Sequence, residues 1–142
     1  MATRGIRGAT TAERNDAAAI AERTLELIRV LVELNGIRPE DLASATFTAT
    51  RDLDAAFPAM PVRALPGWED VPLICAREIP VPGSLARCIR VLLHWNTGKP
   101  QAEVRHAFLH GARVLRPAWA VRVPGDDDAP APARLPAAEP GP

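Results

Sequence analysis

The stretch that decides the fold reads Leu73-Ile-Cys-Ala-Arg-Glu-Ile-Pro-Val-Pro-Gly-Ser-Leu-Ala-Arg-Cys-Ile-Arg-Val-Leu-Leu-His-Trp95. Two apolar runs, Val71–Cys75 and Ile89–Trp95, predict strands on either side of a connection rich in proline and glycine. Glu78 follows the first run, and Arg90 lies inside the second. A guanidinium among apolar neighbours needs an anionic partner, because an unpaired buried charge is costly. That partner is either Glu78, as a structural ion pair, or an anionic ligand.

Length and composition limit the possible classes of protein. A chain of 142 residues with 47% apolar and 24% charged residues is typical of one soluble globular domain. Its formal net charge of zero argues against nucleic-acid and membrane-surface partners, because no basic field attracts phosphates. No signal peptide or membrane span is expected. Cys75 and Cys88 are too few for a disulfide framework and predict a reduced, cytoplasmic protein.

The clearest element is a helix over Asp16–Asn35, where apolar residues recur at helical spacing. Asn15 or Asp16 can cap its start, and Asn35-Gly36 is a stop signal. The other predicted elements, in chain order, are a strand over Thr3–Thr10, a strand over Ser44–Thr50, two short helical pieces within Asp52–Leu65, the strands Val71–Cys75 and Ile89–Trp95, a short helix over Pro100–Phe108 and a last strand over Ala112–Leu115.

The composition changes at Pro124, where a segment rich in proline and alanine begins. Such a segment buries too little apolar surface to order itself. The sequence therefore predicts one folded domain over residues 1–123 and a disordered tail over residues 124–142.

The usual catalytic motifs are missing from the sequence. It has no glycine-rich phosphate loop, no nucleophile elbow and no Cys-x-x-Cys pair. His106 and His110 are four residues apart and could share a helical face as metal ligands, but no third ligand completes a set. Cys75 has no histidine near it in sequence, so a small buried thiol is the favoured role for it and for Cys88. No metal site is predicted.

What stands out instead is a group of arginines next to apolar residues, together with one glutamate. Its members are Arg7, Arg63, Arg90, Arg116 and Glu78. Arginine holds a carboxylate with two hydrogen bonds, which lysine cannot do. Such a set suits a small dianion that also bears a hydroxyl, and chemistry there would depend on positioning and electrostatics. For Arg7 alone, a solvent-facing position on a half-exposed sheet is the favoured interpretation.

From about residue 4 to residue 117 the chain resembles the AroH-class chorismate mutases. The resemblance rests on the joint order and spacing of several stretches rather than on one motif. These are Arg4–Thr11, Asp52–Ala59, Val62-Arg63, Gly67-Trp68, Val71-Pro72, Glu78, Cys88–Val91, Val104–His106 and Val114–Pro117.

The resemblance implies an α/β (α+β) fold: a mixed β-sheet with one long covering helix and short helices, in a trimeric pseudo-barrel of the Bacillus chorismate mutase type. It implies that the protein is an isomerase of aromatic amino-acid biosynthesis in the shikimate pathway. The reaction would be the intramolecular Claisen rearrangement of chorismate to prephenate, without cofactor or covalent intermediate. The partners implied are the substrate chorismate and two further copies of the chain, with sites at the subunit interfaces.

The resemblance also assigns roles to individual residues. Arg7 would hold one substrate carboxylate. Arg90 would hold the enolpyruvyl carboxylate and donate to the ether oxygen. Glu78 would accept from the ring hydroxyl, with Cys75 beside it. The remaining pocket residues would be the walls Phe57 and Leu115 and the arginines Arg63 and Arg116.

Three pocket positions depart from the family pattern. Phe108 stands where family members have a tyrosine, so the ring remains as a wall but a hydroxyl donor is lost. Ile74, like Met60, stands where polar or basic residues occur in the family. Two other interpretations stay open at this point: an imine deaminase of the Rid/YjgF type, and a non-catalytic trimer that binds a small carboxylated metabolite.

Overall fold

A computed structural model describes residues 1–126 and 131–137. Five strands form one mixed sheet in the order β3-β2-β4-β1-β5, where β4 pairs antiparallel with both β1 and β2, and the two other pairs are parallel. The strands are β1 (Ala2–Thr11), β2 (Leu42–Ala49), β3 (Leu73–Arg77), β4 (Cys88–Thr97) and β5 (Ala107–Phe108). The α-helices are α1 (Ala17–Asn35) and α2 (Ala59–Arg63), and 3₁₀ turns cover Pro39–Asp41, Gln101–Glu103, His110–Val114 and Pro117–Trp119. The predicted mixed sheet with one long helix is confirmed.

Helix α1 begins and ends where the sequence predicts. The Asp16 carboxylate accepts a hydrogen bond of 2.7 Å from the Ala19 amide, which caps the first turn. This bond is the main reason why the pKa of Asp16 lies below its ordinary value, and Arg14 adds to the effect. Gly36 ends the helix in the left-handed region at φ 67°, which a residue without a Cβ adopts at low cost.

The main core lies between α1 and one face of the sheet. Ile6, Phe47 and Leu93 of the strands are fully buried against Leu27 and Leu31 of the helix. Because side chains alternate along a strand, the residues between these core positions point to the opposite face. That opposite face carries Arg7 on β1, Thr46 and Thr48 on β2, and Arg90 and Leu92 on β4.

Three of the predicted elements are wrong or incomplete. Pro100–Phe108 contains only a 3₁₀ turn over Gln101–Glu103, followed by strand β5, which pairs with β1. Ala112–Leu115 is not a strand, because the 3₁₀ turn His110–Val114 occupies most of it through local bonds such as Ala112 N–H to Leu109 O. Within Asp52–Leu65, only the second predicted helical piece forms, as α2.

Residues 131–137 contact the connection between β3 and β4. Of the tail predicted over residues 124–142, residues 127–130 and 138–142 lie outside the described part. In the described part, the Leu135 amide donates to Ser84 O at 2.7 Å, and Gly83 and Ala86 donate back to the segment. Leu135 is also buried. Residues 131–137 thus contact the folded domain through one buried leucine and three backbone hydrogen bonds. The disordered tail over residues 124–142 stays a prediction. The domain boundary at residue 123 stays a prediction.

Candidate active site

The centre of the candidate site is the pair formed by Arg90 and Glu78. The Arg90 Nε–H donates to the Glu78 carboxylate at 2.5 Å, and the Thr48 hydroxyl donates to the same oxygen at 2.5 Å. Register explains this contact, since Arg90 lies directly opposite Thr48 on the neighbouring strand. The Glu78 amide also donates to Ala49 O at 3.0 Å, which holds the residue beyond the end of β3. The ion pair is therefore part of the structure.

The ion pair leaves much of the Arg90 guanidinium free to bind something else. The side chain is 38% exposed, against 16% for Glu78. In residues 1–126 and 131–137, Glu78 is the only group that accepts a hydrogen bond from the Arg90 side chain. A guanidinium carries five donors, so four remain available to an anion. The structural and the ligand-binding interpretations of Arg90 are therefore compatible.

A cavity of about 300 Å³ opens beside this pair, and a second arginine lines it. Its walls are Arg7, Thr46, Thr48, Glu78, Arg90, Val91 and Leu92. No described residue accepts a hydrogen bond from the Arg7 guanidinium. The pKa of Arg7 lies below its ordinary value, first because the side chain is partly buried and then because Arg90 and Arg116 repel its charge. A bound anion would relieve that repulsion.

A third guanidinium is linked to this region through two aromatic rings that contact each other. The Arg116 Cζ lies 3.7 Å from the centre of the Trp119 ring, a favourable cation–π distance. Trp119 meets the buried Phe108 edge to face at 5.8 Å, and the Arg7 Cζ lies 5.8 Å from the Phe108 centre. Leu115 packs against the same small cluster. The rings thus connect Arg116 with Arg7 on one side of the sheet.

The formal charges of these groups indicate what the site can bind. Arg7, Arg90 and Arg116 carry three positive charges, and Glu78 carries one negative charge, which leaves two positive charges. His106 adds none at neutral pH, because burial and the nearby Arg7 and Arg116 lower its pKa. A small molecule with two carboxylates would neutralise the group.

The remaining candidate residues are not among those that line this cavity. Phe57, Arg63, Ile74 and Cys75 line a different hollow of about 530 Å³ beside β3. Strand register separates the two, because Cys75 pairs with the core residue Phe47, whereas the carboxylate of Glu78 meets Thr48 on the opposite face. One chain therefore assembles the arginines and the glutamate but does not place Cys75 beside Glu78, nor Phe57 and Arg63 beside Arg90.

The histidines and cysteines do not form a further site in the described part of the chain. His106 accepts a hydrogen bond of 2.9 Å from the Arg7 amide, and His110 lies 2.6 Å from a Glu26 oxygen on α1. They share no helical face, since no helix forms between them. Cys88 is buried, and burial raises the pKa of its thiol to about 12, so it stays a protonated, unreactive packing group.

Two contributions to the site were not predicted from the sequence. Thr48 holds the Glu78 carboxylate, and His106 holds the backbone of Arg7. The alternation of Thr46, Thr48 and Thr50 along one strand was the available signal for Thr48, since it marks a polar face. Nothing local to His106 indicates its partner, which lies 99 residues away in the chain.

Comparison with known proteins identifies the family of this chain. The model of the family "Chorismate mutase type I" matches residues 3–119. The chain belongs to the chorismate mutase type I family. It is 53% identical over 115 residues to Chorismate mutase AroH of Thermus thermophilus, a match that covers 80% of this chain and 93% of that protein. It is 45% identical over 117 residues to Chorismate mutase AroH of Bacillus subtilis strain 168, covering 82% and 92% respectively.

A solved structure agrees with the family assignment. The chorismate mutase from Clostridium thermocellum superposes with a TM-score of 0.76 at 48% identity, covering 78% of this chain and 98% of that one. The predicted activity is thereby confirmed: this protein is a chorismate mutase, an isomerase of aromatic amino-acid biosynthesis. Neither the imine deaminase nor the non-catalytic binding protein has support in these comparisons.

Proposed function

We propose that the chain rearranges chorismate to prephenate in the cavity lined by Arg7, Glu78 and Arg90. The observation that carries the proposal is that Arg7 and Arg90 of the cavity, with Arg116 near Arg7, exceed the single negative charge of Glu78 by two, which matches a substrate with two carboxylates. The substrate's ring hydroxyl provides a donor for the Glu78 carboxylate. The reaction breaks one C–O bond and forms one C–C bond within a single molecule. It therefore requires no cofactor, metal, nucleophile or proton transfer.

We assign the electrostatic work to Arg90. Negative charge grows on the ether oxygen as the C–O bond breaks, so a donor aimed at that oxygen binds the transition state more tightly than the substrate. Arg90 is fixed for this task, because Glu78 holds its Nε while its other donors stay open. Arg7 would bind the second carboxylate. Arg116, held over Trp119, would attract and enclose the dianion.

We propose that the site is completed by a neighbouring copy of the chain in a homotrimer. Phe57 and Ile74, both 64% exposed, border the hollow that also contains Arg63 and Cys75. Two exposed apolar side chains beside an arginine suit an interface that also contacts a substrate. A head-to-tail ring would place this hollow of one subunit over the Arg90 cavity of the next.

The activity itself is tested by following chorismate absorbance with the purified protein and identifying the product. We expect enzyme-dependent loss of chorismate with prephenate as the product. The sharing of the site is tested by mixing two inactive variants, Arg90→Ala and the double variant Phe57→Ala/Arg63→Ala, and refolding them together. In random head-to-tail rings, about a quarter of the sites would combine two intact halves, so activity should return to about that fraction.

Two controls make the mixing experiment decisive. Each variant refolded alone should stay inactive, and a mixture made without refolding should regain activity only as fast as subunits exchange. If the co-refolded mixture forms mixed oligomers yet stays as inactive as its parents, each site lies within one chain.

Phe108 is expected to limit substrate binding. Its buried ring lies 5.8 Å from the Arg7 Cζ, so the hydroxyl in Phe108→Tyr would add a donor close to the carboxylate that Arg7 binds. One added hydrogen bond to a charged group is worth about 1.5–3 kcal/mol. We expect KM to fall about tenfold with kcat nearly constant, measured by steady-state kinetics. The same KM in both proteins would contradict this role for position 108.

We also propose a cytoplasmic location. Cys75 and Cys88 are both free thiols, which suits a reducing compartment. In the described part of the chain, no helix combines the length and apolar character needed to cross a membrane.

A further inference from the structure

The strands that carry the active-site residues are tied together at one junction. The junction consists of Ala12 after β1, Thr50 and Asp52 after β2, and Arg87 before β4. The Asp52 carboxylate accepts from the Thr50 hydroxyl at 2.5 Å and from the Arg87 amide at 2.9 Å. The Thr50 oxygen in turn accepts from the Cys88 amide at 3.0 Å. One carboxylate thus holds the first residues of β4 against the end of β2.

Arg87 occupies a backbone conformation that needs such support. Its φ of 48° lies in the left-handed region, which is unfavourable for a residue other than glycine because the Cβ lies too close to the residue's own backbone. Backbone and side chain are both fixed there, since Ala12 N–H donates to Arg87 O at 2.8 Å and Arg87 Nε–H donates to Ala12 O at 3.0 Å. The Asp52 bond to the Arg87 amide completes the anchoring. Without it, only the two hydrogen bonds with Ala12 hold Arg87 in this conformation.

A change in the backbone conformation of Arg87 would displace Arg90, which lies three residues further along the chain. Arg90 makes its contact with Glu78 at 2.5 Å and lies opposite Thr48 of β2 and Ala9 of β1. The same three strands meet at the junction. A shift of β4 relative to β2 therefore moves the Arg90 guanidinium relative to Glu78 and to Arg7.

We propose that Asp52 is a positioning residue for the rearrangement, which acts by holding Arg87 in its left-handed conformation and thereby setting the place of Arg90. This inference rests on the proposed function, in which Arg90 stabilises the transition state. Substrate affinity is shared with Arg7 and Arg116, on other elements. Loss of Asp52 should therefore lower kcat more than it raises KM.

The variants that test this role are Asp52→Ala, the conservative Asp52→Asn, and Asp52→Ala combined with Arg87→Gly. We expect Asp52→Ala to lower kcat about tenfold with less than about a threefold change in KM, since small misplacement of a catalytic group is costly. Asp52→Asn should fall between it and the wild type, because the amide keeps one acceptor. Glycine adopts positive φ freely, so the Arg87→Gly addition should recover at least about threefold in kcat. Asp70→Asn, at an exposed aspartate, is the matched control and should leave kcat unchanged.

The outcomes separate positioning from plain stabilisation. A residue that only stabilises the fold would lower Tm and leave kcat unchanged far below Tm, and Arg87→Gly would not restore kcat. A kcat for folded Asp52→Ala within about twofold of the wild type, or the lack of rescue by glycine, would overturn the proposal. If Asp52→Ala does not fold, Asp52→Asn decides the same question, since its kcat should still lie below that of the wild type.

A measurement independent of turnover distinguishes this inference from the proposed function. The Arg90 Nε–H gives an NMR resonance that its bond to Glu78 shifts, and Arg90→Lys identifies it by removing it. We expect Asp52→Ala to move this resonance and the Arg87→Gly addition to move it back. If the wild type does not consume chorismate, the proposed function fails. If it does and the resonance stays in place in Asp52→Ala, only the role of Asp52 fails.

Discussion

Replacing Arg90 with lysine is expected to lower kcat by a factor of about 10²–10³, equivalent to about 3–4 kcal/mol of transition-state stabilisation. Lysine keeps the charge but is a point donor on a flexible stem, so it cannot bond Glu78, a carboxylate and the ether oxygen in fixed directions. In the wild type, Nε is occupied by Glu78 at 2.5 Å, which leaves the other four donors available beside the cavity. The loss should appear in kcat under saturating chorismate, followed by the decrease in chorismate absorbance.

The matched control for this variant is Arg29→Lys. Arg29 lies exposed on α1, the helix that covers the other face of the sheet, so kcat should stay within about twofold of the wild type. Near-normal turnover in Arg90→Lys would refute the assignment of Arg90 as the main electrostatic group. A rise in KM at unchanged kcat would instead make Arg90 a simple carboxylate binder.

The second large effect is expected at Gly8, where the fold depends on the absence of a side chain. A Cβ there would lie 2.7 Å from Leu31 Cδ1 and 3.1 Å from both Leu27 Cδ1 and Val91 Cγ1. Two of these atoms belong to α1 and one to β4, so the packed side chains between helix and sheet would have to shift. Gly8→Val should lower the free energy of unfolding by about 3 kcal/mol, and Gly8→Ala by somewhat less. Denaturant unfolding measures both.

Gly5 provides the matched position on the same strand. A Cβ at Gly5 meets only Leu92 Cδ1, at an ordinary 3.5 Å, on the face that α1 does not cover. Gly5→Ala should therefore change the free energy of unfolding by less than about 0.5 kcal/mol. Equal destabilisation by alanine at Gly5 and Gly8 would show that strand propensity, rather than the contact with α1, is what matters at Gly8.

The elements with strong local signals were predicted well. Helix α1 has its apolar stripe, its Asp16 cap and its Gly36 stop in the sequence itself, and it forms between those residues. The central strand β4 has a run of large apolar residues and also forms as expected. By contrast, β5 has only two residues and exists because Ala107 and Phe108 lie beside Gly8 and Ala9. Val114 and Leu115 have strand-forming residue types, yet local bonds bend their segment into a 3₁₀ turn.

The sequence was a good guide to which residues form the candidate site. It was a poorer guide to the contacts that these residues make with one another. Arg90 could be singled out because a guanidinium inside an apolar run needs an anion. Its partner Glu78, 12 residues earlier, was also visible. That Asp52 holds the backbone of Arg87 could not be predicted, because 35 residues of chain separate them. The separation of Cys75 from Glu78 could not be predicted either, since it depends on which face of β3 packs against the core.

The sequence by itself therefore determined which functional groups are available. These are an excess of arginines and one carboxylate, without a nucleophile or metal-ligand set, together with the motifs of a chorismate mutase. These properties belong to single side chains and short segments, and they do not depend on where those residues lie in the fold. Only the tertiary structure decided that Arg7, Glu78 and Arg90 share one cavity while Phe57, Arg63 and Cys75 line another. That division follows from the alternation of side chains on paired strands, and strand register is set by packing across the whole sheet.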